Sequence, residues 1–149
     1  MTQTTLPTKI LVASDGSPPS RAAVEMAVDL AKTTRAELHL VHVALVSRYI
    51  YPDVLSDAQI DRIKADAQAR LDAETAHAKS LGGDIKLSHL RLGSSDAEIL
   101  NLAEELAVGM IVIGNRTGDA ISRILLGDDA ESIVRHAHCA VLVVREPGS

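Results

Sequence analysis

Two glycines frame the segment of this chain with the clearest chemical potential. Gly114 ends the apolar run Met110-Ile111-Val112-Ile113, and Gly127 opens the segment Asp128-Asp129-Ala130-Glu131, which has helical spacing. Glycine takes positive φ and lets a backbone approach a phosphate closely. A helix N-terminus adds free N–H groups and a favourable dipole. Strand, glycine, loop, glycine and helix in that order make a workable phosphate cradle. Neither the Gly-Lys-Ser/Thr of a Walker loop nor a Gly-x-Gly-x-x-Gly dinucleotide fingerprint occurs in the chain. Around the cradle stand Ser14-Asp15-Gly16-Ser17 and the cations Arg116 and Arg123.

Each of these residues also has a plain structural use. Asp15 can brace the loop that follows the first strand. Gly114 and Gly127 can simply end a strand and begin a helix. Asp128 fits an N-cap better than a metal ligand. Ser94-Ser95-Asp96 reads as a helix cap, and no Gly-x-Ser-x-Gly nucleophile elbow is present. His39 and His42 are three apart on a strand, so they point to opposite faces. His136 and His138 flank a helix end, where an imidazolium complements the dipole. Cys139 precedes a buried strand and reads as a small packed residue.

The elements that must position these groups alternate regularly. Ile10–Ala13 reads as a buried strand, followed by a helix capped by Ser17 with Pro18 at its first position. Arg21, Glu25 and Asp29 form its polar stripe, opposite Ala23, Ala27, Leu30 and Ala31. Leu38–Val43 is a second strand. A loop with Tyr49, Tyr51 and Pro52 leads to a helix carrying Ile60, Ile63, Ala67, Leu71, Ala78 and Leu81. The charged residues between Asp57 and Lys79 read as its solvated face. Asp84–Leu92 alternates like an edge strand. Ser95-Asp96-Ala97-Glu98 reads as a capping box opening a third helix with Ile99, Leu102, Ala103 and Leu106. Met110–Ile113 is the fourth strand. A fourth helix runs from Gly127 to about Ala137, and Ala140–Val144 is the last strand.

This β-α-β-α-β-α-β-α-β order predicts a parallel sheet with helices on both faces. The unbroken apolar runs of the first, fourth and fifth strands predict central or covered positions. In such a sheet ligands bind beyond the carboxyl ends of the strands, where strand order reverses. Ser14–Ser17, Val43–Leu45 and Gly114–Gly118 should meet there, with the start of the fourth helix returning to the same rim.

Composition narrows the partners. Only 1% of the 149 residues are aromatic, with two Tyr and no Phe or Trp. Stacking platforms for single-stranded nucleic acid are therefore missing. A formal charge of −5 also disfavours nucleic acid. No stretch suits a membrane helix, and Met1–Lys9 does not resemble a secretory signal. The single Cys excludes an internal disulfide and a Cys-based zinc site. A cytoplasmic protein is expected.

Taken in order, several segments are similar to the universal stress protein family. They are Ile10-Leu11-Val12-Ala13-Ser14-Asp15-Gly16-Ser17, Leu40-Val41-His42-Val43, Gly93–Leu106, Ile111-Val112-Ile113-Gly114-Asn115-Arg116, Leu125-Leu126-Gly127 and Arg135–Val144. The resemblance spans nearly the whole chain. It implies one α/β domain over residues 1–149, with an ordered core at about 8–146. It implies an adenine-nucleotide alpha-hydrolase-like fold, an open five-stranded parallel sheet of order 3-2-1-4-5. It further implies a homodimer paired through the last strand, at Val141, Leu142, Val143 and Val144.

Many members of that family bind ATP through Gly-x-x-Gly-x9-Gly-Ser/Thr. Gly114 and Gly127 fill the first and third positions; Thr117 stands at the second, followed by Gly118. Asp128 stands at the last, followed by Asp129. The resemblance implies a nucleotide site of Ala13, Ser14, Asp15, Val43, Ile113, Gly114, Asn115, Arg116, Thr117, Gly118, Gly127, Asp128 and Asp129. A carboxylate about 4–5 Å from a phosphate costs about 1–4 kcal/mol. Asp128 therefore opposes a polyphosphate unless Mg or Mn bridges the two, or Arg116 and Arg123 offset the repulsion.

The expectation is a dimeric stress-response regulator binding ATP or a less phosphorylated adenine nucleotide, acting on an unidentified protein partner. The alternative is a nucleotide-independent dimeric interaction protein whose phosphate site Asp128 has closed. No catalytic residues and no independent metal site are expected, and any ATP hydrolysis should be slow. Tyr49 and Tyr51 would pack on the dimer partner or cover the cleft.

Overall fold

The computed structural model describes residues 5–46, 56–115 and 128–146. Nine elements follow one another: β1 (Lys9–Ala13), α1 (Pro18–Thr34), β2 (Glu37–Leu45), α2 (Asp57–Ser80), β3 (Ile85–Gly93), α3 (Ser95–Leu106), β4 (Met110–Gly114), α4 (Asp128–His136) and β5 (Ala140–Val144). The strands form one sheet of order β3-β2-β1-β4-β5. Every pairing is parallel, with Val12 opposite Leu40 and Val112, and Ile113 opposite Val143.

The two-residue period of the strands divides the interior into two cores. Ile10, Val12, Leu38, Leu40 and Val112 face α1 and α2, where Ala23, Val24, Ala27, Val28, Leu71 and Ala78 meet them. Leu11, Val41, Ile111 and Ile113 face the other way, against Ile99, Leu102 and Ala103 of α3 and Ala130 and Ile133 of α4. A sheet covered on both faces needs apolar residues at successive positions, which explains the unbroken run in β1 and β4. Small alanines on α1 let that helix lie close to the sheet.

Helix starts follow local chemistry, with one exception. Ser17 caps α1, accepting from the Ser20 N–H at 3.4 Å, and prolines occupy the first turn. A capping box that the sequence reading passed over opens α2, with Ser56 and Gln59 exchanging bonds. The capping box expected at Ser95–Glu98 is not formed. Ser94 is the N-cap of α3 and makes no side-chain cap bond. Asp96 instead accepts 2.7 Å from Ser132 Oγ of α4, and Glu98 turns toward Arg91 at 3.8 Å. Asp96 keeps local hydrogen bonds as well, from the Ala97 N–H and the Ser94 side chain, so tertiary and local partners share it.

The position of β5 matches the order 3-2-1-4-5 that the family resemblance implies but departs from what its apolar run alone suggests. Its apolar run suggested a covered strand, yet β5 is an edge of the sheet. Ala140 is exposed and Val141, Leu142 and Val143 are only partly buried. β3, read as an edge from its alternation, is the other edge.

Ionisable groups in these layers set an expected acid response. Burial, with the charges of His39 and Arg91, holds His89 below the ordinary imidazole value of 6.5. The unfolded chain therefore takes up that proton at higher pH than the folded one, and stability falls as pH drops below 6.5. The hydrogen bond from Ser132 holds the Asp96 carboxyl below its ordinary 3.8. That stabilisation is present above 3.8 and is lost as pH falls through the lower folded value. Thermal melts across the acid range should show a first decline that His89→Gln removes. A second decline, at more acid pH, should be reduced by Ser132→Ala. Melting profiles that both variants leave unchanged would refute the assignment.

Candidate functional site

The strand order reverses between β1 and β4, because α1 leads to one side of β1 and α3 leads to the other. The cleft opens there, at the carboxyl ends of the strands, with a volume of about 570 Å³. Ligand pockets commonly hold roughly 300–1,000 Å³, so a nucleoside or mononucleotide fits. Its walls come from Ala13, Ser14, Asp15, Ser17 and Ser20 on one side and Val41–Leu45 on another. Ile99, Ile113, Gly114, Asp128, Asp129 and Ala130 also line it.

The loop after β1 is held by its own polar groups. The Ser14 N–H donates to Val41 O at 3.0 Å, and the Asp15 N–H to Ser20 Oγ at 3.2 Å. Asp15 Oδ1 accepts from the Ser17 N–H at 2.9 Å, an Asx turn that fixes the carboxylate at the cleft edge. Asp15 thus braces its loop and also lines the cleft. Gly16 lies at φ +82°, which suits glycine.

Gly114 has a steric reason to be glycine. A Cβ there would lie 2.4 Å from both the carbonyl C and the O of Pro19. This contact joins the end of β4 to the first turn of α1 and fixes the floor of the cleft. Asn115 is buried and its N–H donates to Val144 O at 3.0 Å; it is not among the lining residues. Arg116, Thr117, Gly118, Arg123 and Gly127 lie outside the described residues, as do Tyr49 and Tyr51.

Three groups behind and beside the cleft take roles that the sequence alone does not assign to them. His42 Nδ1 lies 2.9 Å from Ser14 O. A carbonyl only accepts, so Nδ1 carries the proton. Glu74 of α2 is fully buried, which corrects the reading of α2's charges as a solvated face. Its Oε2 accepts from Ser14 Oγ at 3.0 Å and its Oε1 from Arg21 at 3.3 Å. A buried carboxylate needs such partners, since desolvation is costly without them. The signal was present: position 74 falls in the apolar stripe of Ala67, Leu71 and Ala78, where a charge is out of place. Arg70, one turn earlier, lines the cleft beside Gly16.

A second polar group lies at the other end of β2. His39, buried, sits 2.8 Å from Glu37 Oε2 and 3.0 Å from His89 Nε2, with the two rings stacked. The two histidines of β2 do point apart, but His39 finds its partner on β3. Among the described residues no group of three or more His, Cys, Asp or Glu is arranged to hold a metal. Burial pushes the Cys139 thiol above its ordinary value of 9.0, so it stays protonated at neutral pH. No helix among the described residues is long and apolar enough to cross a membrane.

The family model described as the universal stress protein family matches residues 7–145. The chain belongs to this family. A universal stress protein of Methanocaldococcus jannaschii is 32% identical over 141 residues, covering 93% of this chain and 82% of that protein. The universal stress protein UspA of Lactobacillus plantarum superposes with a TM-score of 0.78 at 26% identity, covering 93% of this chain and 97% of its own. A further universal stress protein structure shares the fold with a TM-score of 0.70 at 24% identity, covering 94% and 98%. As a universal stress protein, this chain keeps the family's five-stranded parallel order, and among the described residues its cleft carries the acidic side chains Asp15, Asp128 and Asp129.

Proposed function

We propose that the cleft between β1 and β4 binds an adenine nucleotide, and that the whole chain acts as one nucleotide-responsive regulatory domain. The observation carrying this reading is the lining itself. Val43, Ile99 and Ile113 offer aliphatic walls for a purine, while Asp15 and the backbone at the end of β2 offer polar groups to its edge. One of the fold-mates above was solved in complex with cAMP. Another, a universal stress protein from Archaeoglobus fulgidus with a TM-score of 0.66 and 20% identity, was solved in complex with dAMP. The remaining site residues, Asn115, Arg116, Thr117, Gly118 and Gly127, would close the phosphate side. The protein would work as a homodimer joined at β5 and pass its signal to a protein partner.

Calorimetric titration with adenosine, AMP, cAMP, ADP and ATP, with and without Mg or Mn, tests the reading. Binding of at least one of these supports it; no binding of any overturns it. The second reading, a nucleotide-independent dimer, is favoured by one observation. Asp128 and Asp129 stand in the first turn of α4, where a phosphate would otherwise seek the helix N-terminus. Asp128→Ser is therefore expected to strengthen ATP binding about tenfold in the absence of metal. Unchanged or weaker binding would show that Asp128 does not repel phosphate.

A further inference from the structure

Glu74 stands where the packing of α2 needs no charge. Its carboxylate is fully buried, in line with Ala67, Leu71 and Ala78. A leucine there would continue the apolar stripe without desolvating an ion, and replacing a buried ion pair by apolar groups is often neutral or stabilising. The carboxylate is directed at the loop after β1 instead.

α2 holds the residue on each side of Asp15. On one side is Ser14, whose hydroxyl donates to Glu74 Oε2 at 3.0 Å. The Ser14 N–H donates to Val41 O at 3.0 Å and its carbonyl accepts from His42 at 2.9 Å, so Ser14 is fixed to β2 and α2 together. On the other side is Gly16, against which α2 lies directly. A Cβ at Gly16 would stand 2.5 Å from Arg70 Nη1 and 2.9 Å from Glu74 Oε1. The same oxygen accepts from Arg21 of α1 at 3.3 Å. The Asx turn with Ser17 orders Asp15 within its loop. Glu74 sets where that loop stands against the sheet, and so how Asp15 stands relative to Val43 across the cleft that both line.

We propose that Glu74 is a positioning residue for purine recognition: from α2 it holds Asp15 where a 6-amino purine is accepted and a 6-oxo purine is refused. This rests on the adenine-nucleotide reading above. An ionised carboxylate only accepts hydrogen bonds. It pairs with the 6-amino group of adenine and opposes the 6-oxo group of hypoxanthine. A site that hydrogen-bonds one group rejects the analogue lacking it, provided that its own groups are held in place. A loop released from α2 leaves the cleft its aliphatic walls and removes that discrimination.

The test measures three pairs of affinities by calorimetry without metal: adenosine against inosine, AMP against IMP, and ATP against ITP. In the pair that binds most tightly, the wild-type chain should prefer the 6-amino member about tenfold or more. Glu74→Leu, which keeps apolar packing at the position, should bring that ratio to within about twofold of one. Ser14→Ala cuts the same bond from the other side with little change of volume. It should lower the ratio about threefold or more, and it carries the test should Glu74→Leu not fold. Circular dichroism and thermal melts read the fold separately, and a purely structural Glu74 would change Tm without changing the ratio. A wild-type ratio in either folded variant overturns the role of Glu74 while the adenine reading stands. Equal binding of the two members by the wild-type chain overturns it as well. No binding in any pair overturns the adenine reading and this inference together.

Discussion

Gly114→Ala is expected to lower the stability of this protein by about 3 kcal/mol, near the upper part of the usual overpacking range. In a chain of this size that is about 6–12 °C in Tm. The reason is the 2.4 Å approach of a new Cβ to the carbonyl group of Pro19. Backbone atoms cannot swing aside as a flexible side chain can, so β4 or the first turn of α1 must move. The loss should appear in the absence of any nucleotide. Differential scanning calorimetry of the ligand-free protein measures it. A Tm within a degree or two of wild type would show that the contact yields, leaving the glycine to be explained by the ligand alone.

Val143→Lys is expected to weaken the proposed dimer by about two orders of magnitude or more. In an isologous pairing each substitution appears twice about the symmetry axis. Two ammonium groups would face one apolar seam, and like charges at an interface cost several kcal/mol. Val143 is partly buried against the α3–α4 core, so the lysine stem can lie along that surface with its head in water. Sedimentation equilibrium reads the association, and circular dichroism checks that the variant is folded. A folded variant that remains dimeric would remove β5 as the contact. The structure gives this prediction its physical motive: β5 is an apolar strand at an edge of the sheet, paired among the described residues with β4 alone.

Most of the fold was legible in the chain. The alternation of apolar runs with helical stripes gave the order of all nine elements, and Ser17-Pro18 marked the start of α1 to the residue. These are local signals, set by burial periodicity and by the orphan N–H groups of a helix start. The misreadings came where a distant partner outbid a local one. Glu98 looked like the closing residue of a cap, but it turns to Arg91, and Asp96 adds Ser132 of α4 to its local partners. The apolar run of β5 reads as central or covered, and only the strand order implied by the family resemblance puts it at the edge, since hydrophobicity reports a wish to be covered and not what covers it.

The candidate site divides along the same line. Sequence alone determined that Asp15, Gly114, Asp128 and Asp129 would come to the carboxyl end of a parallel sheet, because chain order and right-handed crossovers leave that rim as their meeting place. Only the tertiary structure decided what each of them does there. It made Gly114 a packing glycine against Pro19 and gave Asp15 a loop to brace. It also brought in α2, whose residues are more than 50 positions from those they serve: Glu74 bonds Ser14 across a separation of 60. No pattern of spacing in the chain encodes that contact. It arises because α2 packs on the sheet beside α1, where one buried carboxylate takes Ser14 and Arg21.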